Sequence, residues 1–188
     1  MPPRIANLVL LCEDKLQQVF VLRVLMDLMG LHWRQIRVVP YPKGSGDASH
    51  HVRETFPGEL GAHRIKCNYL SVALVTVIDA DVRNVDQRIN DFKSACLAIG
   101  IQFRQRGERV AFFIPKRNIE TWIRYLQDQN VDEETDYKYN VNLSHHERES
   151  DPQVRRLVEM CRGGGLSRNP PPPSLKSACT EYRERLSH

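Results

Sequence analysis

Four short apolar runs constrain what this chain can fold into. "LVLLC" (Leu8 to Cys12), Ile36 to Val39, "LVTVI" (Leu74 to Ile78) and "VAFFI" (Val110 to Ile114) are rich in β-branched or aromatic residues and have few polar interruptions. A strand with one wet face alternates apolar and polar residues, whereas a strand covered on both faces reads as a continuous run, as parallel sheets require. Helical periods lie between the runs. From Lys15 to Met29, the residues Leu16, Val19, Phe20, Leu22, Val24, Leu25 and Met29 are apolar nearly all round, which predicts a well-buried helix. Val85, Ile89, Phe92, Cys96 and Ile99 recur at helical spacing before the fourth run. After that run, Asn118 predicts an N-cap for a helix carrying Ile119, Trp122, Ile123 and Leu126, with Trp122 in the core. The expected class is α/β, a mostly parallel Rossmann-like sheet of about four strands covered by helices on both faces.

Residues 1–162 read as the α/β domain. "GGGLSRNPPPP" (Gly163 to Pro173) reads as a linker, because three glycines do not sustain a helix and four prolines favour an extended chain. Residues 174–188 form a tail in which Leu175, Ala178, Tyr182 and Leu186 make one helical stripe, able to pack on the body or on a partner. "YPKGSGDASHH" (Tyr41 to His51) has turn composition and reads as a flexible loop with one cation, Lys43. The pairs His50 with His51 and His145 with His146 are assigned to exposed polar loops. Asp132, Glu133, Glu134 and Asp136 are assigned to a solvated loop.

The chain has 188 residues, one domain's length, and a formal charge of +4, too mild to identify a nucleic-acid binder by itself. No apolar run nears the roughly 18 residues of a membrane helix, and no signal peptide is read at the N-terminus. The five cysteines are scattered with no Cys-x-x-Cys, so neither a disulfide framework nor a zinc site is expected. The expectation is a soluble, cytoplasmic protein in a reducing compartment, with no membrane partner.

The acids are placed where chemistry gathers. Glu13 closes the first run, Asp79 and Asp81 close the third, and Glu120 lies in the first turn of the helix after the fourth. In open α/β sheets ligands bind outside the carboxyl ends of the strands. Two carboxylates about 4 Å apart repel by about 4 kcal/mol at an effective dielectric near 20, so a cluster requires a proton, a cationic side chain or a metal. Mg²⁺ commonly takes one or two protein carboxylates and completes its octahedron with water and phosphate oxygens. Helix-terminal charge pairing for Glu13 and Asp14, and turn or cap roles for Asp79 and Asp81, are the alternatives. Glu120 equally suits a first-turn acid with no further role. Lys43, Lys116 and Arg117 follow strand ends and are candidate phosphate contacts.

"LVLLCED" followed by a long helix, then "VIDAD", resembles the TOPRIM (topoisomerase and primase) domain, with its Glu after the first strand and Asp-x-Asp after the third. "FFIPKRNIETWIRYL" (Phe112 to Leu126) is similar to small stand-alone TOPRIM-like proteins of bacterial defence loci, some related to the overcoming-lysogenisation-defect nucleases. The resemblance spans about residues 5 to 128. It implies an Mg²⁺- or Mn²⁺-dependent nuclease acting on DNA or RNA, with Glu13, Asp79 and Asp81 as metal ligands. It also implies Glu13, Lys116 and Glu120 in the chemistry, Lys43, Lys116 and Arg117 on the nucleic acid, and an anti-phage defence role beside a P-loop ATPase partner. Such sequences commonly carry Gly after the motif Glu; here Asp14 stands there, either adding to the metal site or capping the helix. Two other readings stay open: a non-catalytic TOPRIM-like module docking to an ATPase or a nucleic-acid complex, and a receiver-like phosphoacceptor. The long insertion between the second and third runs and the Asp-x-Asp pair argue against the last.

Overall fold

The computed structural model describes residues 7–41, 47–138, 151–164 and 169–187. Its centre is a four-stranded sheet of β1 (Leu8–Cys12), β2 (Ile36–Val38), β3 (Ala73–Val77) and β4 (Val110–Phe113), in the order β2-β1-β3-β4 with every pairing parallel. The class is α/β and Rossmann-like, as the apolar runs predict. The chain leaves β1 toward one edge and re-enters as β3 on the other side of β1. The point where strand order reverses therefore lies between β1 and β3, the place where such sheets open a crevice at their carboxyl ends.

Alternation along each strand sends side chains to two cores. Leu8, Leu10, Cys12, Val75, Val77 and Phe113 face one layer, and Val9, Leu11, Leu74, Val110 and Phe112 face the other. The first layer is α1 (Lys15–Met29), α4 (Ile119–Leu126), α5 (Asp151–Cys161) and α6 (Pro173–Arg185); the second is α2 (Ala48–Cys67) and α3 (Val85–Ala98). Helix α1 ends at Gly30, whose φ of 63° places it in the left-handed region that terminates helices and that glycine adopts without a Cβ penalty. Trp122 is fully buried and its indole N–H donates to Ser174 Oγ at 2.8 Å, satisfying the one polar atom a buried Trp carries.

The structure corrects several expectations. Residues 48–51 are not loop: Asp47 caps α2 by accepting from the His50 N–H at 2.9 Å, so His50 and His51 lie in its first turn. His50 pairs with Glu54 one turn on, and His51 Nε2 lies 3.1 Å from the Pro40 carbonyl. Helix α2 is hidden in the sequence by Pro57 and Gly58, yet Val52, Phe56, Leu60 and His63 form its buried stripe. Ile99 falls at the C-cap of α3 and is exposed, outside the buried stripe. The tail helix α6 packs on the body through Leu175, Ala178, Tyr182 and Leu186, and the Tyr182 hydroxyl donates to the Leu28 carbonyl at 3.0 Å. Cys161 and Cys179 form a disulfide joining α5 to α6, where the sequence suggested none; segments 18 residues apart fold back to a Cα separation of 4.5 Å. No helix among the described residues is long and apolar enough to cross a membrane. Lys43, His145, His146 and residues 165–168 of the Gly/Pro segment lie outside the described residues.

Candidate functional site

β1 and β3 run side by side with Cys12 opposite Val77, so the residues just beyond them meet at the strand-order reversal. The backbone continues the sheet a little further: Ile78 N–H donates to the Phe113 carbonyl at 3.3 Å and Ala80 N–H to the Pro115 carbonyl at 2.8 Å. Asp79 is thereby held between its neighbours, only 1% exposed. Its own N–H donates to Glu13 Oε2 at 3.1 Å, which ties the acid ending β1 to the acid ending β3.

Gln17 organises this pair. It is fully buried; its Oε1 accepts from the Glu13 N–H at 3.0 Å and its Nε2 donates to Asp79 Oδ1 at 2.9 Å. Asp14 Oδ1 accepts from the Gln17 N–H at 2.8 Å as the N-cap of α1. The residue standing where TOPRIM sequences commonly have glycine is therefore a helix cap, a role for which a short carboxylate is favoured.

The "DAD" turn is clamped from the other side by Arg88, a buried residue of α3. Its Nε donates to the Asp79 carbonyl at 3.0 Å, and its NH2 lies 3.4 Å from both the Ala80 carbonyl and Asp81 Oδ2. Asp81 adopts φ 57°, a left-handed conformation that Asp tolerates better than most residues. It does not cap α3; Asn84 does, in a capping box with Gln87. Arg88 was legible only as one more polar residue, although it stands three after Val85 and four before Phe92, on the buried side.

The acidic run after α4 is not simply solvated. Asp132 gathers the Glu134 and Thr135 N–H groups at 2.9 and 2.6 Å, Asp136 Oδ1 accepts from Asn118 Nδ2 at 2.8 Å, and Arg124 lies 4.8 Å over the Tyr137 ring. Glu133 Oε1 accepts from Ser174 N and Oγ at 3.0 and 2.5 Å, anchoring the run to the start of α6. So folded, the segment delivers Lys138, whose Nζ is 3.5 Å from Asp79 Oδ2. Sequence reasoning missed Lys138 because it follows a block of acids that reads as a solvated face.

Electrostatics concentrate here. Burial, reinforced by Glu13, pushes the Asp79 carboxyl well above its ordinary value. Burial also raises Glu13, against the Asp79 N–H, which favours its charged form. Glu120, in the first turn of α4 and 8% exposed, is raised by burial and by Asp14. Burial works against the Lys138 ammonium, but Asp79, Asp81, Glu13 and Glu120 outweigh it and the group is raised. Among the described residues Asp79 Oδ2 is buried without a hydrogen-bond partner, and Lys138, 3.5 Å away, is paired with it by charge. Among the described residues no three or more His, Cys, Asp or Glu side chains are gathered closely enough to hold a metal ion. Lys116 points its ammonium at Glu134, 3.6 Å away, and Arg117 is half-buried in the loop before α4.

In comparisons with known proteins, the chain matches no family model, no curated protein and no solved structure.

Proposed function

We propose that the crevice between β1 and β3 is the active site of a TOPRIM-type, Mg²⁺- or Mn²⁺-dependent nuclease that cleaves phosphodiester bonds in DNA or RNA. The observation that carries this reading is Asp79 Oδ2, buried beside Glu13 at the strand-order reversal and, among the described residues, balanced by the Lys138 charge without a hydrogen bond. A buried carboxylate oxygen that no hydrogen bond satisfies is costly, and a divalent cation is a partner suited to it. The donor set fits a hard cation: Glu13 and Asp79 present oxygens from adjacent strands, and one or two protein carboxylates suffice for Mg²⁺, while Asp81 pairs with Arg88 rather than joining them in a three-acid cluster. A bound divalent ion would supply Lewis-acid polarisation of the phosphate and activation of water.

The chain's own residues do the positioning. Gln17 fixes one Asp79 oxygen and leaves the other without a hydrogen bond among the described residues, while Arg88 holds the turn that carries Asp81. Burial raises the Glu13 and Glu120 carboxyls, the direction in which a carboxyl becomes a better proton carrier. Lys116, Arg117 and Lys43 are the cations assigned to the phosphate backbone, and Lys116 must leave Glu134 to act there. The resemblance stated for the Glu13, Asp79 and Asp81 motif supports a cytoplasmic defence effector licensed by a P-loop ATPase.

The strand order is also that of receiver-like domains, and the segment between β2 and β3 is an ordinary crossover helix rather than an insertion. A phosphoacceptor, however, needs an accessible carboxylate, and Asp79 is buried with one oxygen engaged by Gln17.

The deciding experiment compares wild type with Asp79→Asn on single-stranded DNA, duplex DNA and transfer RNA with Mg²⁺ or Mn²⁺, with and without an ATPase partner. Cleavage by wild type and loss of about a hundredfold or more in the variant is expected. Equal cleavage by both removes Asp79 from the chemistry, and cleavage by neither favours the docking module.

A further inference from the structure

Lys138 lies where a cation is needed and, among the described residues, its ammonium makes no hydrogen bond there. Its Nζ is 3.5 Å from Asp79 Oδ2, the buried oxygen that lacks a hydrogen-bond partner, and its side chain is 45% exposed. Among the described residues the ammonium is thus held by charge, on a flexible stem with a path to water. Its backbone is better fixed: the Lys138 N–H donates to Asp136 Oδ1 at 3.0 Å, and the same oxygen accepts from Asn118, the N-cap of α4. Further back, Glu133 is fastened to Ser174. The chain therefore presents a tethered monovalent cation to the carboxylates assigned above to a divalent one.

We propose that Lys138 is the resting counter-ion of this site and an internal competitor for it, so that a divalent cation loads only as the Lys138 side chain withdraws. The inference rests on the metal-site reading and adds its regulation. A single ammonium 3.5 Å from one oxygen neutralises part of the cluster, which keeps the crevice assembled without metal. Two cations close to the same buried carboxylate repel each other, so divalent loading and the ammonium's present position exclude one another. Once withdrawn, the ammonium is a donor for a phosphate oxygen, and a nucleic-acid strand entering the crevice would favour loading.

The test is Mn²⁺ binding to the full chain, followed by electron paramagnetic resonance, for wild type, Lys138→Met, Lys138→Arg and Asp79→Asn. Lys138→Met should bind Mn²⁺ about tenfold more tightly or better, the Coulomb effect of one unit charge after screening by salt. Lys138→Arg keeps the charge and should stay near wild type, a distinction that loss of a merely structural contact would not produce. Asp79→Asn should lose binding. If Lys138→Met binds no tighter than wild type while Asp79→Asn loses the ion, the competitor role is overturned and the metal site stands. If no protein in the series binds Mn²⁺, the metal-site reading fails and the competitor role falls with it.

Discussion

Gln17 Nε2 donates to Asp79 Oδ1 at 2.9 Å across 62 residues of sequence, and both side chains are buried. The bond joins the first turn of α1 to the end of β3, and through Gln17 Oε1 it also satisfies the Glu13 N–H. Replacing Gln17 by Met, similar in length but without donor or acceptor, would leave Asp79 with neither oxygen hydrogen-bonded. The expected loss is about 1 to 3 kcal/mol of folding stability, the cost of stranding a buried polar group. Urea unfolding measures it. In the Asp79→Asn background the same Gln17→Met change should cost less, because a neutral amide is cheaper to strand than a carboxylate. Equal costs in the two backgrounds would mean that Gln17 acts on the backbone of Glu13 alone.

The disulfide between Cys161 and Cys179 closes an 18-residue span that includes the Gly/Pro segment. Chain-entropy reasoning gives about 3 kcal/mol for a loop near this length, through restriction of the unfolded chain. Reduction should therefore lower the urea midpoint by a corresponding amount with the folded spectrum unchanged. Mass spectrometry after alkylation gives the state of all five cysteines. An unchanged midpoint once five thiols are free would show that packing of α6 by Leu175, Ala178 and Tyr182 holds the tail without the bridge.

What the sequence made legible follows from which signals are local. The four apolar runs and the periods of α1, α3 and α4 mark strands and helices because burial on two faces or one stripe is written in consecutive residues. The meeting of Glu13 and Asp79 was legible as well, since parallel strands in an α/β sheet put their carboxyl ends on one edge. Helix α2 was not, because Pro57-Gly58 reads as a break, although its missing N–H is tolerated within a 20-residue helix packed along Val52, Phe56 and Leu60. The polar residues that build the site were harder still. Gln17, Arg88 and Lys138 gain meaning from partners 62, 9 and 59 positions away; only Arg88 carries a local sign, its place on the buried side of α3, and that sign does not tell what it holds.

His63 supplies a pH dependence at the opposite end of the sheet from the acids. It is buried on α2, with Nε2 3.1 Å from the Val72 carbonyl and the Cys67 thiol beside it. Burial pushes the imidazole below its ordinary value, against the Val72 carbonyl and Glu108, which favour the charged form, and with Arg64 and Arg109, which oppose it. A histidine harder to protonate when folded stabilises the protein fully above its unfolded value near 6.5, because there both states are neutral. As the pH falls through that value the unfolded chain takes up the proton first, and stability declines until the folded pKa is passed. One group contributes a slope of no more than about 1.4 kcal/mol per pH unit. Glu108, which burial tends to raise but Arg64 and the Gln105 N–H hold below its ordinary value, loses its contribution only at lower pH. Urea unfolding of wild type at pH 7.5, 6.5 and 5.5 should therefore show stability falling toward the acid end. His63→Gln keeps a donor for the Val72 carbonyl but cannot titrate, and its stability should vary less over the same range. Identical pH slopes in the two proteins would remove His63 as the origin and leave the decline to the carboxylates.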